Sequence, residues 1–211
     1  MNNGIILSLV SVLLFSASTT SHAQDFLLKH RSGLELNLGV WSGGASISIS
    51  TGGLQTEANL GAFIGGILYT NWLQENLSVT LSAGLLAAKA SSTVSSMGDL
   101  EQQASSVVPL LIGVRLYLPY PEPDAQVRPF LSAAIGPYIG SEAKSTLFAQ
   151  GTHTETSFGG RAGVGIDFIL GNHFKLGANA GYNVMSDFDA SVGGRMNYNG
   201  GEFSIGIGYI F

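Results

Sequence analysis

The sequence contains no cysteine, and charged residues are scarce. The absence of cysteine excludes disulfide bonds, thiolate metal sites and cysteine nucleophiles. Charged residues make up 11% of the 211 residues, against roughly 25% in ordinary globular proteins. A water-soluble protein with so few charges would be poorly soluble, so something other than water is expected to cover much of the surface. The net charge of −5 and the absence of a basic stripe argue against nucleic acid as a partner.

Long apolar runs are also scarce, and the clearest one lies at the start of the chain. An apolar core over 5–15 is followed by Ser21-His22-Ala23, which fits the small-x-small rule for signal cleavage. The sequence therefore predicts a secretory signal over 1–23, cleavage before Gln24 and a short periplasmic arm over 24–32. The alternative is an uncleaved anchor, but the run is shorter than the ~20 residues of a membrane-spanning helix.

In place of long runs, the rest of the sequence alternates apolar residues with glycine or polar residues. Period-two alternation indicates strands with two different faces. In "NHFKLGANAGYNV", for example, Phe174, Leu176 and Val184 share one face, and Lys175 and Asn179 share the other. Similar patterns cover 34–40, 77–85, 108–118, 158–170 and 203–211, and strands of less certain phase cover 58–70 and 128–140. The sequence therefore predicts eight strands.

The connections between these strands alternate in length. Short links such as "NWLQE" and "GN" follow the second, fourth and sixth strands, and long links follow the others. This alternation is typical of transmembrane barrels, with tight periplasmic turns and longer extracellular loops. We therefore expect an all-β, eight-stranded, antiparallel up-and-down transmembrane barrel over 33–211. The alternative is an exported soluble sandwich or lipocalin-like barrel, which the low charge disfavours.

Aromatic residues cluster near the predicted short-turn ends of the strands. Amphipathic rings prefer the headgroup level of a bilayer. The sequence therefore predicts an interfacial girdle that comprises Tyr69, Trp72, Tyr120, Phe168 and Phe174, with Tyr209 and Phe211. The alternative is that these aromatics are scattered, as in many β proteins.

The sequence stops on the strand "GEFSIGIGYIF", in which apolar residues alternate up to the last position. For the barrel to have no open edge, this strand must pair with the first strand near "LELNLGV". This strand and the two strands "GGRAGVGIDF" and "HFKLGANAGYN" carry a resemblance to a known group. The chain resembles the small eight-stranded outer-membrane barrels, such as the transmembrane domain of outer membrane protein A. The resemblance implies that the outer-membrane insertion machinery recognises this C-terminal strand. The residues that would form the recognition signal here are Phe203, Ile205, Ile207, Tyr209 and Phe211. Some members carry a peptidoglycan-binding domain after the barrel, and cell-wall anchoring is not expected here.

Five charged residues are expected to point into the lumen. Glu35, Arg115, Asp167 and Lys175 belong to the inward faces of their strands, in the periplasmic third, and Arg161 lies above them near mid-depth. An eight-stranded barrel is just wide enough for side chains to fill it, and buried opposite charges should pair. The sequence therefore predicts a polar plug, with inward glycines making room for it. The alternative is a selectivity ring in a conducting pore.

Catalytic residue types are few. His153, Glu155 and Ser157 lie in a predicted loop, and so do Asp187 and Asp189, which could hold calcium or form an acid–base pair. A solvated polar loop explains both groups more simply. We expect no catalytic residues, no metal and no cofactor.

Together these patterns favour an integral outer-membrane protein of a Gram-negative bacterium with a structural or surface-binding role. Its expected partners are outer-membrane lipid, lipopolysaccharide and the insertion machinery. The extracellular ligand is not encoded in any pattern that the sequence shows. The alternatives are a narrow conduit for small or apolar solutes and a lipid-modifying enzyme.

Overall fold

A computed structural model of the protein describes residues 28–51, 54–94, 100–118, 126–145 and 150–211. Eight consecutive antiparallel strands form a closed barrel, which confirms the predicted fold. The strands are β1 Ser32–Thr51, β2 Leu54–Gln74, β3 Leu77–Val94, β4 Leu100–Tyr117, β5 Val127–Ser145, β6 Gln150–Leu170, β7 Phe174–Met185 and β8 Gly200–Ile210. Within these ranges no helix is long and apolar enough to cross a membrane. The predicted signal sequence and Tyr120 lie outside the described residues.

The last strand closes the barrel against the first. The predicted pairing of the two strands is confirmed, with Leu34 opposite Tyr209 and Val40 opposite Phe203. The backbone of Phe211 continues this pairing, since its N–H donates to Ser32 (2.8 Å) and its carbonyl accepts from the Ser32 N–H (3.0 Å). Closure leaves no row of unpaired backbone groups, which would be very unfavourable in lipid.

The outer face of the barrel carries the predicted apolar residues. Tyr69 and Tyr209 flank Leu34 near the end of the barrel with the short turns, called here the short-turn end. Six residues further along, Phe63 and Phe203 flank Val40. Six residues of strand span about 20 Å, which suits the ~25 Å apolar band of an outer-membrane barrel. The outward aromatics Phe168 and Phe174 are also exposed.

The prediction that Trp72 belongs to the interfacial girdle is wrong. Its side chain is fully buried in the lumen, whereas Tyr69 is exposed on the outer face. Successive side chains of a strand point to opposite faces, so two residues three positions apart cannot both face lipid in a regular strand. The ladder between β2 and β3 stays in one register from Tyr69 to Trp72, and its irregularity follows Trp72.

At the opposite end, called here the loop end, the strands extend beyond what a membrane crossing needs. Strands β1 to β6 contain 18 to 21 residues, and β7 and β8 contain 12 and 11; a crossing takes about 9–11. Much of the predicted loops at 42–57, 91–103 and 141–154 is therefore strand. Alternating β-branched residues such as those in "SISIST" favour this extension. The connection at 186–199 is not part of any strand.

Two groups of buried apolar side chains occupy the lumen, and they include Trp41 and Tyr117, for which the inward glycines were expected to make room. The short-turn cluster comprises Leu28, Trp72, Tyr117, Phe130, Ile169 and Ile210. The loop-end cluster comprises Trp41, Leu86, Val107, Leu111, Ala134, Tyr138, Met185, Phe188, Val192 and Tyr198. Side chains of this size fill an eight-stranded barrel.

Candidate functional site

Four of the five predicted lumen charges form one group in the short-turn part of the lumen. The Lys175 ammonium lies 2.5 Å from Oε2 of Glu35 and 3.0 Å from Oδ2 of Asp167. The Arg115 guanidinium lies 3.4 Å and 3.5 Å from the same two oxygens. All four side chains are buried. We call Glu35, Arg115, Asp167 and Lys175 the ionic network.

Neighbouring rings and glycines enclose the ionic network. The Tyr117 hydroxyl donates to Oδ2 of Asp167 (2.9 Å), and the Arg115 guanidinium lies 4.4 Å from the centre of the Phe130 ring. The Phe130 ring has room because Gly165 faces it: a Cβ there would overlap Cζ of the ring and lie 2.6 Å from the Ala178 carbonyl oxygen. With two acids and two bases, the network has no formal charge left over, which is the condition for burying charges.

Arg161, the fifth predicted residue, lies in a separate group. It binds Oε1 of Glu202 at 3.0 Å, and the Asn183 amide donates to Oε2 of Glu202 at 2.8 Å. Asn183 in turn accepts a hydrogen bond from the Tyr138 hydroxyl at 3.0 Å. Glu202 was not among the predicted lumen charges, although the outward Phe203 beside it already implied an inward position.

A cavity of about 50 Å³ lies beside both charged groups. Its polar lining includes Asn37, Ser82, Asn179, Arg115 and Arg161. Oδ1 of Asn179 is buried and has no hydrogen-bond partner among the described residues. At roughly 10–15 Å³ for each water, the cavity is large enough for a few waters but is small for a nutrient solute.

Residues 28 and 29 lie across the short-turn end of the lumen. Leu28 is fully buried in the short-turn cluster. The backbone N–H groups of Leu28 and Lys29 donate to the carboxylate of Glu75 at 3.1 Å and 2.7 Å, and Arg128 lies 3.4 Å from the same carboxylate. Arg128 was not among the predicted inward charges, because the sequence leaves the phase of its strand uncertain.

The connection 186–199, called here the inner segment, folds into the loop end of the lumen. Phe188, Val192 and Tyr198 are buried in the loop-end cluster. The Gly193 N–H donates to Oε2 of Glu142 on β5 at 2.8 Å, and the Tyr198 hydroxyl donates to the Val192 carbonyl at 2.6 Å. Burial raises the pKa of the Tyr198 hydroxyl above its ordinary value.

The predicted catalytic candidates His153 and Ser157 do not form a nucleophile–base pair. His153 Nε2 lies 2.6 Å from Glu155 Oε1, but Ser157 binds Ser186 through its hydroxyl (3.0 Å between the two Oγ atoms). His153 and Ser157 are four residues apart along β6, which separates their Cα atoms by about 13 Å. Asp187 accepts from the Asn197 amide at 2.6 Å. In the part of the chain that the structure describes, no group of three or more acids and histidines could hold a metal ion.

Comparison with known proteins identifies the family. Residues 7–211 match the family model of the outer membrane protein beta-barrel domain. The chain belongs to this family. It is therefore an outer-membrane β-barrel protein of the kind found in Gram-negative bacteria. A search of curated proteins found no match.

Solved structures share the fold of this outer-membrane barrel. One is the attachment invasion locus protein Ail of Yersinia pestis, in complex with the heparin analogue sucrose octasulfate: TM-score 0.53, 16% identity, covering 87% of this chain and 99% of that chain. Another is Neisserial surface protein A: TM-score 0.53, 12% identity, covering 85% of this chain and 97% of that chain. Outer-membrane barrels keep their short turns in the periplasm, so the ionic network belongs to the periplasmic part of the lumen and the inner segment to the extracellular part.

Proposed function

We propose that this outer-membrane barrel is closed and non-catalytic, and that its role is structural or depends on binding at the extracellular end. The observation that supports this most strongly is the filled lumen. The short-turn cluster, the ionic network and the Arg161–Glu202 pair follow one another along the axis, and the inner segment lies above them. In an eight-stranded barrel there is little space beside such side chains.

The alternative of a solute conduit needs a continuous passage. Leu28 and Trp72 are fully buried at one end of the lumen, and Val192 is fully buried at the other. The cavity between them is about 50 Å³. Both ends would have to open before a solute could pass, so the closed form is the better-supported state.

The alternative of a lipid-modifying enzyme would rely on His153. His153 does lie 2.6 Å from the acid Glu155. A serine nucleophile also needs its base within hydrogen-bond reach, and Ser157 binds Ser186 instead of His153. We expect His153→Ala to leave the lipid A of an expressing strain unchanged, as judged by mass spectrometry against the wild type. A lipid A species that disappears in this variant would refute the non-catalytic proposal.

The proposed partners are outer-membrane lipid and lipopolysaccharide around the apolar outer face, and the insertion machinery at β8. The heparin analogue bound by Ail is a polyanion, and a similar ligand is not favoured here. At the loop end, Asp187 and Asp189 are exposed and Glu155 is partly exposed. The partly buried Arg195 lies over the Trp41 ring. An uncharged or cationic ligand suits this surface better.

We further propose that the mature protein starts at Gln24 and that residues 24–32 form a periplasmic arm before the barrel at 33–211. The bonds from Leu28 and Lys29 to Glu75 support a fixed position for this arm. Intact-mass measurement of protein purified from outer membranes tests the first point. A mass that includes residues 1–23 would refute cleavage after Ala23.

Swelling of proteoliposomes tests the closed state. We expect liposomes that contain the folded protein to swell no faster in L-arabinose than protein-free liposomes. A variant in which residues 187–198 are replaced by a short glycine-serine linker should behave in the same way, because the short-turn layers remain. Arabinose-dependent swelling with the wild-type protein would overturn the proposal.

A further inference from the structure

The extracellular half of the lumen has the form of a cup whose contents come from the protein itself. Its wall includes Trp41, Leu86, Val107, Leu111, Tyr138 and Met185. The Arg161–Glu202 pair and Asn183 close it from below. Phe188, Val192 and Tyr198 of the inner segment occupy it, and the Tyr198 ring lies 5.5 Å from the Trp41 ring, centre to centre. Without the inner segment, this space would be an apolar pocket open to the outside.

The inner segment is folded largely on itself. The Phe188 N–H donates to the Met196 carbonyl at 2.6 Å, and Val192 and Arg195 exchange backbone hydrogen bonds of 2.9 Å and 3.1 Å. Gly193 and Gly194 have φ values of 59° and 80°, and they form the turn between Val192 and Arg195. These bonds lie within the segment, so it can leave the cup as a unit without breaking them. Its apolar side chains, the Gly193–Glu142 bond and the Arg195 guanidinium, which lies 5.6 Å from the centre of the Trp41 ring, attach it to the wall. At its two ends, Ser186 bonds to Phe158 and Asn199 bonds to Met185, so the segment stays anchored there when it leaves the cup.

The inner segment leaves one polar atom in the cup, the indole nitrogen of Trp41, without a hydrogen-bond partner among the described residues. The Trp41 side chain is 1% exposed, and its indole N–H has no hydrogen-bond acceptor among the described residues. A buried donor without an acceptor is unfavourable by about 1–3 kcal/mol. The rings of Phe188 and Tyr198 fill the apolar volume, but they leave this donor unsatisfied. A ligand with an acceptor could satisfy it.

We propose that the cup is a binding site for a small apolar molecule that carries a hydrogen-bond acceptor, and that the inner segment is the lid which this molecule displaces. The inference rests on the proposed closed state, because the short-turn layers make the extracellular end the route of entry. The ligand takes the place of the Phe188 and Tyr198 rings and accepts a hydrogen bond from Trp41. The cup then binds the small apolar molecule without letting it pass through the barrel.

Benzophenone is a suitable probe, because it is apolar, has one carbonyl acceptor and forms covalent cross-links under ultraviolet light. In a Trp72→Phe background, Trp41 is the remaining tryptophan and reports binding by fluorescence. A disulfide can lock the lid: a Cβ at Gly140 would lie 2.8 Å from Cγ2 of Val192, within reach of the ~3.5–4.5 Å that separates disulfide-linked Cβ atoms. The lock is Gly140→Cys with Val192→Cys. The matched control is Ser157→Cys with Ser186→Cys, which ties only the first residue of the segment, where the two Oγ atoms lie 3.0 Å apart.

We expect saturable quenching of Trp41 in the unlocked protein, and cross-links that mass spectrometry places on cup residues. The oxidised lock should weaken binding at least tenfold, its reduction should restore binding, and the control disulfide should have little effect. Trp41→Phe should reduce cross-linking about fivefold, the size of one hydrogen bond. Equal binding in the oxidised and reduced lock, or no saturable binding in the reduced form, would overturn the proposal. Arabinose swelling of the same preparations shows separately whether the barrel conducts, so failure of the closed state is distinguishable from absence of the site.

Discussion

The Lys175 ammonium lies between two carboxylates, 2.5 Å from Glu35 and 3.0 Å from Asp167, within a barrel whose outer face is lipid-facing. Arg115 contacts the same two carboxylates from another strand. The four side chains come from β1, β4, β6 and β7, so the ionic network links strands that are not all neighbours. Its integrity therefore depends on closure of the whole barrel.

Removal of one base from the ionic network should destabilise the barrel strongly. Lys175→Met leaves Glu35 and Asp167 with Arg115 as the base of the network, and breaking a buried charge pair usually costs about 3–5 kcal/mol. Lys29→Met is the matched control, because Lys29 is exposed and its change should stay within ~0.5 kcal/mol. Urea unfolding followed by tryptophan fluorescence measures both. Equal unfolding midpoints would contradict the structural role of the network. The double variant Glu35→Gln with Lys175→Met should recover part of the loss.

Gly165 should not tolerate even a methyl group. Gly165→Ala brings a Cβ to 2.6 Å from the Ala178 carbonyl oxygen, so the backbone must shift at a typical loss of about 1–3 kcal/mol. Gly151→Ala on the same strand is the control, because a Cβ there would meet nothing within 4 Å. Unfolding in urea should separate the two variants. If both are equally stable, Gly165 does not serve to admit the Phe130 ring.

Much of the fold could be predicted from period-two alternation alone. The alternation within β8 alone identifies its outward residues. Because a barrel must close, β8 is then expected to pair with β1, as it does. The same rule, applied strictly, also assigns Trp72 to the lumen, because Tyr69 is lipid-facing. The preference of tryptophan for interfaces competed with alternation, and alternation determined the position.

Other features left no clear pattern in the sequence. On β5 both faces carry apolar residues, such as outward Leu131 and inward Phe130, so the inward position of Arg128 was hidden. The inner segment has no strand period, and its place in the lumen depends on contacts with distant residues such as Glu142. Long-range packing of an irregular segment is not encoded in local spacing.

Trp72 should be shielded from lipid. In a Trp41→Phe variant, Trp72 is the remaining tryptophan, and lipids brominated on their acyl chains should quench its fluorescence only weakly. Tyr69→Trp in a protein without Trp41 and Trp72 is the positive control, since Tyr69 is exposed on the outer face. Strong quenching of Trp72 would restore the interfacial assignment and contradict its burial.

Phe211 should matter for assembly. The Phe211 side chain is exposed and its backbone pairs with Ser32, and the resemblance implies that β8 is read by the insertion machinery. A chain extended beyond Phe211 by a charged tag should assemble more slowly into vesicles that contain purified insertion machinery, as followed by the mobility of unheated samples in gels. A tag of the same length before residue 28 is the control. Unchanged assembly with the C-terminal tag would remove the signal role from this strand.

Single-channel recording in planar bilayers tests the closed lumen most directly. The filled lumen predicts that the folded wild-type protein, with insertion verified by its mobility in gels, adds no conductance steps at moderate voltage. The same absence of steps is expected after residues 187–198 are replaced by a glycine-serine linker, because the short-turn cluster and the ionic network remain. Stable, uniform steps from the wild-type protein would contradict the account.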